Sequence, residues 1–107
     1  MTIPQRPRAV RERFVAAIRI IDVLSERQLS THTSDLSLNG CFVATANPFN
    51  KGENIRIAIV HAGAKVEALG HVVYSNAQGM GIAFTRIEAG YQAVLDRWMS
   101  DLRAAKS

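Results

Sequence analysis

Between Phe14 and Ile87 the chain is a succession of short runs rich in β-branched residues, each closed by a turn signal. No helical period interrupts them. That pattern is the strongest constraint on the fold, because alternation with period two buries one face of a strand. FVAAIRIIDVL (residues 14–24) predicts the first strand, with a polar turn at ERQ. Leu29–Ser37, Cys41–Ala46, Ile55–Ala62, Lys65–Ser75 and Met80–Ile87 predict five more. Asn39-Gly40, NPFNKGEN and NAQG read as turns between them. Gly70, inside the fifth strand, predicts a bulge or bend.

After Ile87 the period changes. Tyr91, Val94, Leu95, Trp98, Met99 and Leu102 recur at helical spacing, with Asp96, Arg97, Asp101 and Arg103 on the other face. This predicts an amphipathic helix over 88–105, with Tyr91 and Trp98 as packing anchors. The expected fold is mostly β: a small six-stranded antiparallel β-barrel with a C-terminal amphipathic α-helix. The absence of helices alternating with strands argues against a doubly wound nucleotide fold. The length of 107 residues fits one domain, and 48% apolar residues suffice for its core.

Ahead of the barrel lies a basic segment. Residues 1–13 carry Arg6, Arg8, Arg11 and Arg13 against Glu12, which is three of the four net positive charges of the chain. Pro4 and Pro7 oppose regular structure there. The reading is a flexible basic arm over 1–13 and a barrel-plus-helix domain over 14–105. Arginine, unlike lysine, forks onto phosphate and guanine and stacks on base planes. The bland alternative is a solvated basic tail.

Few other residues carry chemistry. The single cysteine, Cys41, allows no internal disulfide and no multi-cysteine zinc site. His32, His61 and His71 fall at no metal-ligand spacing. The phosphate-loop and dinucleotide glycine patterns are absent, so no catalytic residue, metal or cofactor is assigned. Without a secretory signal or a span-length apolar run, the expected location is cytoplasmic, with no membrane insertion. One polar constellation remains: Asp35, Ser37 and Gly40 in the stretch DLSLNG. A carboxylate acceptor, a hydroxyl and a bare backbone are good turn chemistry. Beside arginines they also suit a ligand bearing guanine and phosphate.

The arm, the first strand, the D-x-S-x-x-G turn about twenty residues later and the closing helix together resemble a PilZ domain. Gly70-His-Val-Val-Tyr74 and Gly79-Met-Gly-Ile-Ala-Phe84 are similar to the closing hairpin of that family. The resemblance covers almost the whole chain. It implies a bacterial receptor for the second messenger cyclic di-GMP, with Arg8, Arg11, Arg13, Asp35, Ser37 and Gly40 as ligand-binding residues. It also implies a downstream protein partner in motility, pilus, polysaccharide or virulence machinery. The family's arm carries R-x-x-x-R. Here Arg13 fits the second position and Ala9 stands at the first, next to Arg8. Some members of the family lack that motif and act through protein contacts, which is the alternative function the resemblance implies. Nucleic-acid binding through the basic arm is a third reading, with Phe42 and Tyr74 as stacking candidates; the near-neutral barrel counts against it.

Overall fold

The computed structural model describes residues 11–105. Seven strands and one helix follow in order: β1 (Glu12–Arg13), β2 (Ala17–Asp22), β3 (Gln28–Leu36), β4 (Gly40–Ala44), β5 (Asn54–His61), β6 (Ala64–Asn76), β7 (Gly79–Arg86) and α1 (Ala89–Ala104). All strand pairs are antiparallel. The order β3-β2-β5-β6-β7-β4 closes through a β3–β4 pairing into a six-stranded barrel, and β1 adds a short rung to β3.

Alternation builds the interior. Ile18 and Ile20 of β2, and Ile55, Ile57 and Ile59 of β5, all point inward and are buried. Each contributes about 2 kcal/mol of hydrophobic stabilisation. Val66 and Val72 of β6, Met80 and Ile82 of β7, Leu36, Cys41 and Val43 complete the lining. Helix α1 lays Leu95, Trp98 and Met99 on this core, as the apolar stripe predicts. Phe49, from the β4–β5 loop, is also buried in it, with the Arg27 guanidinium 4.4 Å from its ring centre. A register shift between Leu69 and Gly70 marks the expected irregularity at Gly70.

The first strand differs from the sequence expectation at both ends, and the expected Cys41–Ala46 strand ends at Ala44. The first strand does not run from Phe14 to Leu24. At its far end the Asp22 carboxylate accepts from the Leu24 and Ser25 amides, at 2.9 Å each, and turns the chain. Val23 and Leu24, though β-formers, are left exposed there. At its near end residues 14–16 leave the regular ladder. Buried Thr33 spans this break: its hydroxyl donates to the Phe14 carbonyl and accepts from the Ala16 amide. The chain before the break continues along β3 as β1, so the last two residues of the expected 1–13 arm are sheet.

Candidate functional site

The β1 pairing decides which side chains share a surface. Glu12 lies opposite Leu36 and Arg13 opposite Asp35. Glu12 is buried on the inner side, whereas Arg11 and Arg13 are exposed. Directly opposed residues of an antiparallel pair project to the same face, as do residues two apart. Arg11, Arg13 and Asp35 therefore gather on the outer face at the β1–β3 rung.

Asp35 is held in place by its own strand neighbour. Its Oδ1 accepts from the Phe42 amide at 3.1 Å and from the Arg11 guanidinium at 2.8 Å. The Arg11 and Asp35 side chains keep 47% and 30% of their surface accessible. An ion pair so open to water is worth only about 0–1 kcal/mol, so an incoming anion can displace Asp35 from Arg11 at little expense. The cluster carries two guanidiniums against one carboxylate, leaving it net positive.

The turn that follows is built from inside. Ser37 is only 3% exposed. Its hydroxyl accepts from the Asn39 and Gly40 amides, at 3.1 and 3.2 Å, and donates to the Gly40 carbonyl at 3.3 Å. One donor and two lone pairs are thereby fully used. Gly40 begins β4, and a Cβ built there would lie 1.9 Å from the Ile82 carbonyl oxygen of β7. The space left by its missing side chain is filled by backbone. Ser37 and Gly40, expected both as turn chemistry and as ligand-binding residues, work within the turn and the barrel seam in this structure. Ser37→Ala is expected to destabilise the fold by about 1–3 kcal/mol, because the buried Gly40 amide and the part-buried Asn39 amide lose their acceptor. Denaturant unfolding checks this.

A second feature extends the site along the sheet. Asp35 pairs with Phe42, Phe42 with Gly81, and Gly81 with Tyr74. The Tyr74 ring lies over Gly81, within 2.2 Å of where a Cβ would stand. It stacks toward Phe42 at a centroid distance of 6.0 Å and an interplanar angle of 25°. Bare backbone at Gly81 is what lets the two rings approach. The result is a partly exposed aromatic shelf beside the Arg11–Asp35 pair. From sequence these rings stand out only as stacking candidates for nucleic acid, because their cross-strand row is a long-range property.

Cys41 lies under the site. Burial, with the Asp35 charge second, pushes its thiol up to about 12, and Arg11 opposes this only in part. At pH 8 its thiolate fraction is on the order of 1,000-fold below that of a free thiol. Iodoacetamide should leave it unmodified in the folded protein and alkylate it after unfolding; alkylation of the folded protein at a free-thiol rate would contradict that burial. Among the described residues no cluster of three or more His, Cys, Asp or Glu could hold a metal ion. No helix among them is long and apolar enough to cross a membrane.

Arg13 is tied to the rest of the molecule through its neighbour. The Phe14 ring packs on His61 at 4.6 Å and on Trp98 at 5.5 Å, and His61 meets Trp98 edge-on at 5.6 Å. The site is thus one residue from an aromatic cluster that reaches α1. Arg8 and Ala9 lie outside the described residues.

Known structures share this architecture. Bacillus subtilis inhibitor of motility, MotI/DgrA, superposes with a TM-score of 0.78 at 23% identity, over 96% of this chain and 54% of that one. The chain therefore spans about half the length of that protein. The PilZ domain of YcgR from Escherichia coli, solved with c-di-GMP, gives 0.72 at 15% identity, covering 95% of each chain. The PilZ domain of CeSA from a cellulose synthesizing bacterium gives 0.67 at 13%, over 92% of this chain and all of that one. No curated protein sequence matches. The sequence profile of the PilZ domain, however, matches residues 5–101, a span that takes in the whole barrel and all but the end of α1. The chain belongs to the PilZ domain family.

Proposed function

We propose that this protein is a cyclic di-GMP receptor that passes the signal to a protein partner. The observation that carries the reading is the gathering of Arg11, Arg13 and Asp35 on one exposed face, beside the Phe42–Tyr74 shelf. Cyclic di-GMP offers two phosphodiester anions and two guanines. The guanidiniums supply forked donors to phosphate and flat cations for stacking. Among the described residues both hydrogen bonds to Asp35 fall on Oδ1, leaving Oδ2 to accept from the N–H edge of a guanine. The shelf provides an aromatic plane for a base. Ser37 and Gly40 act by fixing the turn that aims Asp35. Arg8 joins the binding set by its place in the arm. The YcgR domain, similar in fold and solved with c-di-GMP, adds support.

Transmission follows from the aromatic cluster. When phosphate replaces Asp35 as the partner of Arg11, the β1 rung shifts its contacts. Phe14 carries that change to Trp98 and α1. A partner reading α1 or the arm then meets a different surface. In this reading the ligand acts as a signal.

Nitrogen-15 NMR tests the placement. Cyclic di-GMP should move the amides of Arg11, Arg13, Asp35, Phe42 and Gly81 in a saturable way. Saturable shifts confined to another face would refute the site. The absence of any shift would leave the adaptor function, through protein contacts alone, as the better reading.

A further inference from the structure

We infer that the outer face of β2, β5 and β6 is a docking groove for an acidic amphipathic helix of a partner protein. The groove has a volume of about 670 Å³. Its floor is Ile21, Ala58 and Leu69, and its cations are Arg19, Arg56 and Arg86. Strand register fixes the order. Ile21, Arg56, Leu69 and Arg86 form one cross-strand row, so Leu69 lies between two arginines. Arg19 lies opposite Ala58 in the adjacent row.

The charges on this face are unbalanced. Among the described residues no ion pair joins any of the three arginines to a carboxylate. Glu67, at the groove's edge, is already committed: it accepts from the Tyr91 hydroxyl at 2.9 Å and pairs with Lys65 at 3.3 Å. Those contacts hold its carboxyl below, and the Tyr91 phenol above, their ordinary ranges. Glu88 on the rim is the one other acid lining the groove. Three guanidiniums around exposed Leu69, 43% accessible, and half-buried Ile21 and Ala58 call for an occupant with both carboxylates and an apolar stripe.

The shape of that occupant follows from the barrel. Strands β2, β5, β6 and β7 are each paired on both sides, so this face offers no free edge for strand addition. Arg56 and Arg86 sit two strands apart, about 10 Å. That is about the diameter of an α-helix with its side chains. A helix laid on Leu69 would bring acidic residues of its two flanks to the two arginines. The groove is separate from the Arg11–Asp35 cluster, so the inference does not depend on the ligand reading.

The probe is a synthetic helical peptide of about five turns, with leucines spaced i, i+3, i+4, i+7 and glutamates beside them. Its twin carries lysine for each glutamate. The glutamate peptide should move the amides of Arg19, Arg56, Leu69 and Arg86 in the nitrogen-15 NMR spectrum and saturate. The lysine twin should not. Affinity should fall at least ~10-fold in Arg56→Glu/Arg86→Glu, and again when salt is raised from about 50 to about 500 mM. Asp35→Ala should leave it unchanged, which separates this site from nucleotide binding. Equal binding of the twin, shifts on another face, or no shift at millimolar peptide would overturn the proposal. So would the same amides moving with protein concentration alone, which would make the groove a self-association surface, or with cyclic di-GMP alone, which would make it a nucleotide site.

Discussion

Gly40→Ala is expected to destabilise the barrel by about 3 kcal/mol, and to lower its melting temperature by roughly 10–20 °C. The added Cβ would stand 1.9 Å from the Ile82 carbonyl oxygen and 3.2 Å from the Ala83 Cα, and both are backbone atoms. Neither can rotate away, so β4 and β7 must separate along the Gly40–Ala83 pairing. Gly90→Ala is the control. Nothing lies within 4 Å of a Cβ there, and the position is in α1. That change should be stabilising by up to about 1 kcal/mol, since alanine is the better helix former. Chemical denaturation of both variants checks the pair. A Gly40→Ala protein as stable as the parent would show that the seam yields, and would return Gly40 to a role in making room for ligand.

The Arg11→Ala/Arg13→Ala double variant is expected to lose at least ~100-fold in affinity for cyclic di-GMP while folding normally. Charged hydrogen bonds are worth about 1.5–3 kcal/mol each, and two guanidiniums removed from a two-phosphate ligand give that factor or more. The fold should not notice, because both side chains are exposed and the Arg11–Asp35 pair is open to water. Circular dichroism and unfolding midpoints establish the second half, and competitive binding the first. If affinity survives, the phosphates are held elsewhere, and the gathering on the β1–β3 rung is incidental.

Much of the barrel is legible in the alternation of its strands. The expected Ile55–Ala62 and Lys65–Ser75 lie within a residue of β5 and β6. Residues 88–105 are α1 to within a residue at each end. These elements share a local cause, since the period of burial is written in adjacent residues. Part of what the sequence hides is set by partners far along the chain, and part by a side chain capturing nearby backbone. β1 has two residues and exists only because Leu36 and Asp35 lie opposite it. Val23 and Leu24 look like strand until the Asp22 carboxylate takes the Leu24 and Ser25 amides. The candidate site divides the same way. Arg11, Arg13 and Asp35 stand out as charges and do meet in space. That Ser37 spends its hydroxyl on its own turn is local chemistry, legible in DLSLNG; that Gly40 lies against a carbonyl from β7 and that Tyr74 covers Gly81 toward Phe42 depend on register.

The most direct measurement is a calorimetric titration of the intact protein with cyclic di-GMP, with GTP as the control nucleotide and Asp35→Ala as the control protein. The account predicts saturable heat with cyclic di-GMP, little with GTP, and loss of binding in Asp35→Ala, which keeps the fold at a stability lowered by the loss of the Phe42 amide's acceptor. Absence of heat at high ligand concentration, or binding that Asp35→Ala leaves intact, would contradict it.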